Sequence, residues 1–484
     1  MLSISRKVLT TIVFSITILL IASCGKPKET DEVNAKTLSV EESVVQKAIV
    51  QKPIVQEPIV QESKVWISGW KPSADLTVAR AGAAVVTHNN FIYMIGGVDG
   101  KFFLSSIESS VIKEDGSLSP WKAVSNMPEQ RGFMSAVVHE SRLYVVGGGN
   151  GEYGKNLLNT IVSANLLSNG TIGSWREEKE RLLLPRRCAK LIKKDNQLLA
   201  LGGFGGALLD NVEVTTFASD GSLRPWKMNE QKLTMPRYVN SVTQMNEIAF
   251  VLGGHHPRKG VGLTEVEYVN LRQKPLKWQR TNSMDVARYA FSSFTNDNRL
   301  YVAGGISGSE YLNSIEVTKV EVGNKLAGKT TLSWQKATNL PLAMANFRTI
   351  VVNERVFLIG GSSNENYLNA VWRAGFDKNG QLGYWGSQKE LDALNAQQAK
   401  KKEMNHLLNA GTVVQSINTE GYTYLLVKEK GAERWLAAPK MEIKNNTRIQ
   451  YSEGVYMSNF FSKTLRKSFK SIVFVGTVHI AESR

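Results

Sequence analysis

The chain has 484 residues, a formal net charge of +16 and 42% hydrophobic residues, with 40 glycines and two cysteines. The length exceeds that of one ordinary domain, and the composition indicates a globular, β-rich and basic protein. Two cysteines exclude a cysteine-based zinc site, the GxSxG and HExxH motifs do not occur, and no cofactor is predicted.

The first 23 residues have the pattern of a secretory signal peptide. Arg6 and Lys7 give a basic start, and the apolar run VLTTIVFSITILLIA follows. Because this run is short for a stable membrane span, it predicts an export signal. The sequence IASC, ending at Cys24, resembles the lipobox of bacterial lipoproteins. That resemblance implies a lipid on Cys24 and a protein bound to the membrane of the cell envelope, with Gly25 favouring the outer membrane. The alternative is a signal peptide with an incidental cysteine.

Residues 24–65 are predicted to be a flexible tether. They are rich in Lys, Glu, Val and Gln and contain the related phrases VQKAI, VQKPI and VQEPI. Prolines and charges at this spacing are typical of an extended linker. The tether would hold the next domain away from the membrane.

The next stretch contains six copies of an apolar run that ends in a glycine pair. A tryptophan precedes each pair by 26 or 27 residues. The first glycines of the pairs are Gly96, Gly147, Gly202, Gly253, Gly304 and Gly360. The period of about fifty residues predicts six stacked supersecondary units.

Each unit is predicted to contain four short strands, a to d. Strand b runs into the glycine pair, strand c alternates apolar and polar residues, and the tryptophan lies in strand d. This pattern resembles the kelch repeat over roughly residues 67–386. The resemblance implies an all-β fold for residues 66–386, a six-bladed kelch-type β-propeller. Trp70 and Trp385 give seven in-register tryptophans for six pairs, so the strand at Trp70 either closes the last blade or forms an extra edge.

After the repeats, residues 387–409 are predicted to be a helical linker because they lack Gly and Pro and contain good helix formers. Residues 410–484 contain five strand-like runs and are predicted to form a small β-barrel. Residues such as Trp435, Pro439, Phe460 and Phe469 resemble the NrfJ-type OB-fold family, which implies an OB-fold-like domain. Nucleic acid is an unlikely ligand for an exported protein, so its basic residues are expected to be solvated.

The candidate ligand-binding residues lie where strand a begins and where strand b ends. An arginine stands 16 residues before five of the six glycine pairs, and Met344 replaces it in the sixth. These candidates are Arg80, Arg131, Arg186, Arg237 and Arg288, with His255 and His256 in a neighbouring loop. Five guanidinium groups at one mouth of a propeller would favour an anionic ligand. The alternative, implied by the kelch resemblance, is that these arginines hydrogen-bond backbone carbonyls between blades.

The sequence therefore predicts an exported, lipid-anchored propeller that recognises a protein or an acidic glycan. No catalytic residue is assigned. Kelch propellers include the galactose oxidase type, whose copper site needs two tyrosines, two histidines and a cysteine crosslinked to tyrosine. Here the spare thiol is Cys188 and the only histidines expected at the mouth are the adjacent His255 and His256, so no metal is predicted. One alternative is a sugar-processing enzyme of the sialic acid mutarotase type. Another is ligand binding by the OB-like domain, with the propeller as scaffold.

Overall fold

A computed structural model describes residues 63–256, 260, 262–321, 331–364, 366–405 and 409–481, with only the backbone for 400–405. The predicted signal peptide, Cys24 and nearly all of the predicted tether lie outside the described residues, so their roles stay predictions. Strands account for 51% of the described residues. Within the described residues, no helix is long and apolar enough to cross a membrane.

Six antiparallel β-sheets follow one another along the repeat region, and each is a blade. Two short strands, β1 (Val65–Ser68) and β2 (Lys71–Pro72), come before the first blade. Blade 1 contains β3 (Ala84–His88), β4 (Phe91–Ile95), β5 (Ser106–Val111) and β6 (Lys122–Asn126). Blade 2 contains β7 (Ser135–His139), β8 (Arg142–Val146), the loop strands β9 (Gly149–Asn150) and β10 (Asn156–Leu157), then β11 (Ile161–Asn165) and β12 (Arg176–Glu177). Blade 3 contains β13 (Lys190–Lys194), β14 (Gln197–Leu201), β15 (Val212–Thr216) and β16 (Lys227–Met228).

The remaining blades repeat this order of strands. Blade 4 contains β17 (Ser241–Met245), β18 (Ile248–Leu252), β19 (Val266–Asn270) and β20 (Gln279–Arg280). Blade 5 contains β21 (Ser292–Asn296), β22 (Arg299–Ala303), the loop strands β23 (Ile306–Ser307) and β24 (Glu310–Tyr311), then β25 (Ile315–Lys319) and β26 (Gln335–Ala337). Blade 6 contains β27 (Arg348–Val352), β28 (Arg355–Ile359), the loop strands β29 (Ser362–Ser363) and β30 (Asn366–Tyr367), then β31 (Val371–Phe376) and β32 (Leu382–Gly386).

The blades close into a ring, as the sequence predicted. Strand a of each blade lies beside strand a of the next, and β27 of blade 6 lies beside β3 of blade 1. The hydrophobic core lies between neighbouring blades, so that Tyr301 of β22 packs in one cluster with Leu358 of β28. The structure is therefore a six-bladed β-propeller.

The glycine pairs connect each blade to the next one. The second glycine donates its backbone N–H to the carbonyl of the residue at the arginine position of the following blade, from Gly97 to Arg131 at 2.8 Å around to Gly361 and Arg80 at 2.8 Å. At Gly254, φ is +107° and a Cβ would lie 2.9 Å from the carbonyl oxygen of Tyr238. Glycine is needed there because any side chain would meet the backbone just before strand a of its own blade.

The strand at Trp70 closes the last blade. Strand β2 pairs with β31 in the register that strand d has in the other blades, while β1 pairs with β32 further out. Trp70 is buried in the core of blades 5 and 6. Trp385 is 63% exposed and packs edge-on against Trp66. Both alternatives are thus present, because the N-terminal segment supplies the closing strand and then an additional edge strand.

The chain then enters helix α1 (Gln388–Asn405), which Ser387 caps by accepting the Glu390 backbone N–H at 3.2 Å. Residues 406–408 of the predicted linker lie outside the described residues. The C-terminal domain has seven strands, against five predicted runs. They are β33 (Asn409–Asn418), β34 (Tyr422–Glu429), β35 (Ala432–Pro439), β36 (Arg448–Tyr451), β37 (Gly454–Ser462), β38 (Lys467–Val475) and β39 (Val478–Ile480).

These seven strands form one sheet in the order β37-β38-β35-β34-β33-β36-β39. All neighbours are antiparallel except β35 and β38, which are parallel. Strand β37 was missed in the sequence because Val455, Tyr456 and Met457 show no alternation, and all three are exposed. The OB-like character of this domain stays a prediction.

Candidate functional site

The five repeated arginines lie inside the blades, and none of them is exposed. Arg80 shows the common arrangement. Its Nη1 donates to the carbonyl oxygens of Gly96 and Ser106, each at 3.0 Å. In all five blades the first acceptor is the first glycine of the pair, 16 residues further along. The constant spacing between arginine and glycine pair is therefore explained by a hydrogen bond from the guanidinium to the carbonyl oxygen of the first glycine.

A buried carboxylate neutralises four of these five arginines. In blade 1, Arg80 Nη2 lies 2.5 Å from Glu108 of strand c. Glu108 also accepts the backbone N–H groups of Thr77 at 2.7 Å and Val78 at 3.2 Å, which belong to the loop before strand a. The pair thus joins strands a, b and c with that loop. The corresponding pairs are Arg186–Glu213, Arg237–Glu267 and Arg288–Glu316.

Blades 2 and 6 depart from this pattern. In blade 2, Val162 occupies the glutamate position of strand c, and Arg131 pairs instead with Glu129 at 2.5 Å. In blade 6, Met344 replaces the arginine and Trp372 replaces the glutamate. The arginine and the glutamate are thus both absent from this blade, as expected if each of them serves to neutralise the other. The glutamates were not singled out from the sequence, although this joint replacement was visible in it.

Burial lowers the pKa of Arg80, and the Coulomb attraction of Glu108 opposes that shift. The guanidinium of arginine stays protonated even where burial lowers its pKa. Removing either partner would leave the other charge buried and uncompensated, so the pair requires both residues. Anion binding by the five arginines remains untested. Their contacts favour the structural alternative, because their side chains are occupied inside the blades and not exposed at the mouth.

The mouth on the glycine-pair side is lined by a second ring of residues. In each blade the residue after the arginine position forms a β-bridge with the residue after the glycine pair. The bridged pairs, from blade 1 to blade 6, are Ala81 and Val98, Gly132 and Gly149, Arg187 and Phe204, Tyr238 and His255, Tyr289 and Ile306, and Ala345 and Ser362. Blades 3 to 5 thus carry large side chains, whereas blades 6, 1 and 2 carry small ones.

We call the large side chains of this mouth the aromatic crescent, and it comprises Arg187, Phe204, Tyr238, His255 and Tyr289. The Arg187 guanidinium lies over the Phe204 ring at 5.2 Å. The ring centroids of Phe204 and Tyr238 are 6.0 Å apart, and the His255 ring lies edge-on between Tyr238 at 5.4 Å and Tyr289 at 5.2 Å. All five side chains are half-buried. They form a continuous wall on one side of the mouth.

Comparison with known proteins identifies the repeats. The family described as Kelch motif matches residues 287–317. Beta-scruin of Limulus polyphemus is 27% identical over 221 residues, which are 44% of this chain and 23% of that protein. Kelch repeat and BTB domain-containing protein 1 of horsepox virus is 29% identical over 158 residues, 31% of this chain and 26% of that protein. The chain spans about a quarter of the length of these relatives.

The solved structure of YjhT is similar in fold. Its TM-score is 0.53 at 13% identity, and the match covers 65% of this chain and 99% of that one. The repeat domain is a kelch-repeat β-propeller.

The mouth of the kelch propeller is rich in neutral hydrogen-bonding aromatics. Burial raises the pKa of Tyr238, and the neighbouring Cys188 adds to the shift. Burial also raises the pKa of Tyr289, with contributions from Tyr238 and Tyr311. These phenols therefore stay protonated at neutral pH, so each can donate and accept a hydrogen bond beside an apolar ring face.

Of the two predicted histidines, only His255 belongs to the crescent. Its Nδ1 is buried without a hydrogen-bond partner. His256 is half-buried and adjacent in sequence. In the part of the chain that the structure describes, no three His, Cys, Asp or Glu side chains are grouped as metal ligands would be.

One pattern was overlooked in the sequence. Residues 323–330 read GNKLAGKT and match the spacing of a phosphate-binding loop. They follow strand β25 and precede strand β26, whereas a phosphate-binding loop leads from a strand into a helix. Residues 322–330 lie outside the described residues. The topological context does not support a nucleotide site.

Proposed function

We propose that this protein is a non-catalytic binding protein of the bacterial cell envelope that recognises a protein partner with the aromatic crescent. The observation that carries the proposal is the asymmetry of the mouth. Tyrosine, tryptophan and arginine are the residues that most often dominate binding energy at protein interfaces. Here Arg187, Tyr238 and Tyr289 form one wall, opposite small residues that leave room for a partner's side chain.

An acidic glycan is the second ligand class for the same mouth. Arg187 supports it as a cation at the rim, and its Nη1 already donates to the carbonyl oxygens of Tyr153 at 3.0 Å and Gly154 at 3.1 Å. The mutarotase-type alternative needs a carboxylate poised at the mouth. Asp99 accepts two backbone N–H groups of its own loop, and Glu152 pairs with Lys155 at 3.2 Å. None of these three contacts joins a carboxylate to the crescent, so binding is the better supported function.

Photo-crosslinking in cells tests the mouth directly. In the full chain, Tyr289 is replaced by p-benzoylphenylalanine and the cells are irradiated. We expect a discrete adduct that a protease removes if the partner is a protein, or that carries carbohydrate if it is a glycan. The matched control is the same replacement at Asn298, an exposed residue between strands a and b at the opposite end of the blade. An adduct at Asn298 but not at Tyr289 would overturn the proposal.

A second pair of variants connects the adduct to the crescent. Arg187→Ala and Tyr238→Ala are expected to reduce the yield of the Tyr289 adduct at least about tenfold, which corresponds to about 1.4 kcal/mol of binding energy. Lys227→Ala, on an exposed outer strand of blade 3, is the control and should leave the yield unchanged. Equal yields in all three variants would place the contact outside the crescent.

The lipid anchor belongs to the same proposal and rests on the IASC sequence ending at Cys24. Replacement of Cys24 by Ser removes the thiol that would carry the lipid. We expect the variant to move from the membrane fraction to the soluble fraction after cell lysis. Unchanged partition into the membrane fraction would refute lipidation at this residue.

The C-terminal domain offers one specific feature as an alternative binding surface. Strand β37 lies at the end of the sheet order, and Val455 and Tyr456 on it are 68% and 66% exposed. Exposed apolar residues on an edge strand are a common contact for a partner strand. If the adduct forms at Tyr456 and not at Tyr289, ligand binding belongs to this domain and the propeller is its scaffold.

A further inference from the structure

The central channel of the propeller has a polar belt that the proposed function does not use. The belt is formed by the first residue of strand a in each blade, four positions after the repeated arginine. From blade 1 to blade 6 these residues are Ala84, Ser135, Lys190, Ser241, Ser292 and Arg348. Five of the six are thus polar or charged, in the innermost strands of the fold.

The two cations of the belt lie on opposite sides of the channel. Lys190 belongs to blade 3 and Arg348 to blade 6, which are three blades apart in a ring of six. Both side chains line the same cavities. Two like charges facing each other in a confined space repel, and the repulsion is strong where little water screens it.

No carboxylate of the described residues lines the channel or pairs with either cation. The larger cavity, of about 180 Å³, is bordered by Lys190, Arg348 and the belt serines, and it contains no Asp or Glu. Arg348 donates from Nε to the carbonyl oxygen of Ala83 at 2.5 Å and from Nη1 to that of Phe347 at 3.2 Å. These carbonyls orient the guanidinium but do not cancel its charge. The repeated arginines, by contrast, each have a glutamate.

Hydroxyl groups between the cations add further hydrogen-bonding capacity. Ser241 Oγ lies 2.7 Å from Ser293 Oγ, and Ser292 Oγ lies 2.7 Å from Thr349 Oγ1. Each of these hydroxyls bridges neighbouring blades. A hydroxyl can donate to a ligand oxygen while it accepts from its neighbour.

Asn240 is the most direct sign that a ligand belongs here. Its side chain lines the smaller cavity next to Lys190 and Arg348, and the residue is only 2% exposed. Neither its Nδ2 nor its Oδ1 has a hydrogen-bond partner. A buried amide without partners is destabilising, so such groups are rare unless something binds them.

We propose that the larger cavity of the channel binds a small oxyanion between Lys190 and Arg348, with Ser241 and Ser292 completing the site and Asn240 lining the smaller cavity beside it. The charges and donors fit a tetrahedral oxyanion such as phosphate or sulfate, or the carboxylate group of a small acid. The anion neutralises both cations and joins blades 3 and 6 across the channel. This site is separate from the aromatic crescent and from the buried arginines.

Isothermal titration calorimetry of the full chain in an anion-poor buffer tests this site. Inorganic phosphate, sulfate, acetate and chloride are titrated separately. We expect saturable binding of at least one of the three oxyanions. Preference for phosphate and sulfate identifies a tetrahedral ligand, and preference for acetate identifies a carboxylate. Absence of binding by all three, or binding of chloride alone, would overturn the proposal.

Two variants and a matched control locate the binding. Lys190→Met and Arg348→Met should each weaken the affinity for the preferred oxyanion at least about tenfold, because each removes one of two charges that contact it. Lys227→Met removes an exposed lysine of the same blade and should bind like the wild type. Wild-type affinity in Lys190→Met would overturn the proposal.

Melting temperatures supply a second readout, which shows whether the variants still fold and whether the anion stabilises them. Phosphate and sulfate stabilise proteins non-specifically at high concentration, so the melting temperatures of all four proteins should rise somewhat. Only the wild type and Lys227→Met should show an additional rise in melting temperature that saturates as the anion fills the site. Without the anion, Lys190→Met should melt no lower than the wild type, because it removes an unpaired charge. A large fall in its melting temperature without the anion would contradict the geometry of the site.

Discussion

At the scale of single residues, the repeated arginines are predicted to stabilise the blades through their glutamates. Replacing Arg288 with Met leaves Glu316 as an uncompensated buried charge, which typically costs about 3–5 kcal/mol. Glu316→Leu should have a similar effect. The double variant should be less destabilised than the sum of the single ones, because neither charge is then left alone. Melting temperatures of the four proteins measure this cycle.

The exposed pair Arg181–Glu177 is the control for that cycle. Its side chains are 53% and 49% exposed, so their replacement should change stability by less than about 0.5 kcal/mol. Blade 6, with Met344 and Trp372, shows that a blade without the pair folds within the same ring. Additive effects of the two replacements in blade 5 would contradict the paired role.

The channel lysine predicts a pH dependence of stability. Burial first, and repulsion by Arg348 second, lower the pKa of Lys190 from 10.5 to about 7. Between those values the unfolded chain holds more protons than the folded one, so the contribution of Lys190 to stability rises with pH. Cys188, which also faces it, stays a neutral thiol because burial raises its pKa.

The measurement compares the wild type with Lys190→Met in anion-poor buffer between about pH 6.5 and about pH 9. The stability of the wild type should fall furthest below that of Lys190→Met at the acid end, where the buried amine is charged. The difference should shrink as pH rises. Lys227→Met should follow the wild type throughout. A constant difference between wild type and Lys190→Met would mean that the amine does not titrate in this range.

At the scale of strands, the two in-register tryptophans at the ends of the repeat region provide a matched test of ring closure. Trp70 is buried beside the closing strand, and its Nε1 donates to the carbonyl of Asn339 at 3.1 Å. Trp70→Ala should destabilise by about 3–5 kcal/mol. Trp385→Ala should have an effect of less than about 1 kcal/mol, because that side chain is 63% exposed.

Chemical denaturation followed by intrinsic fluorescence separates the two variants. A similar loss of unfolding free energy in Trp70→Ala and Trp385→Ala would mean that β1 and β32, rather than β2, close the ring. The design depends on the two residues being chemically identical and lying at opposite ends of the same repeat region. Only their burial differs.

Strands a, b and c were predictable because their apolar runs and turn residues are local signals. The closing partner of β31 was not, because β2 precedes it by about three hundred residues and the sequence offered two tryptophans for one place. The positions of the arginines could be predicted from the sequence, but their hydrogen-bond partners could not, since arginine binds either an anion or a carbonyl oxygen. The aromatic crescent was missed because only the bridges between strands a and the glycine-pair loops bring Phe204, Tyr238 and Tyr289 together.

At the scale of the whole molecule, the hydrophobic contacts separate into two sets. The core clusters of the propeller contain residues from Trp70 to Leu382, and those of the C-terminal domain contain residues from Val413 to Val478. No cluster of the described residues contains members of both. Each domain buries its own apolar surface, which is the main source of its stability.

This separation predicts two thermal transitions in calorimetry. Trp70→Ala should lower the melting temperature of one transition and leave the other in place. A chain ending after Asn405 should lose the second transition and keep the first within about 2–4 °C, a shift that corresponds to about 1 kcal/mol or less for domains of this size. The contact that the truncation retains is the pair Lys71–Glu390 at 3.1 Å, which ties helix α1 to the closing strand. A single transition that moves as a whole in both variants would show instead that the two domains unfold as one unit.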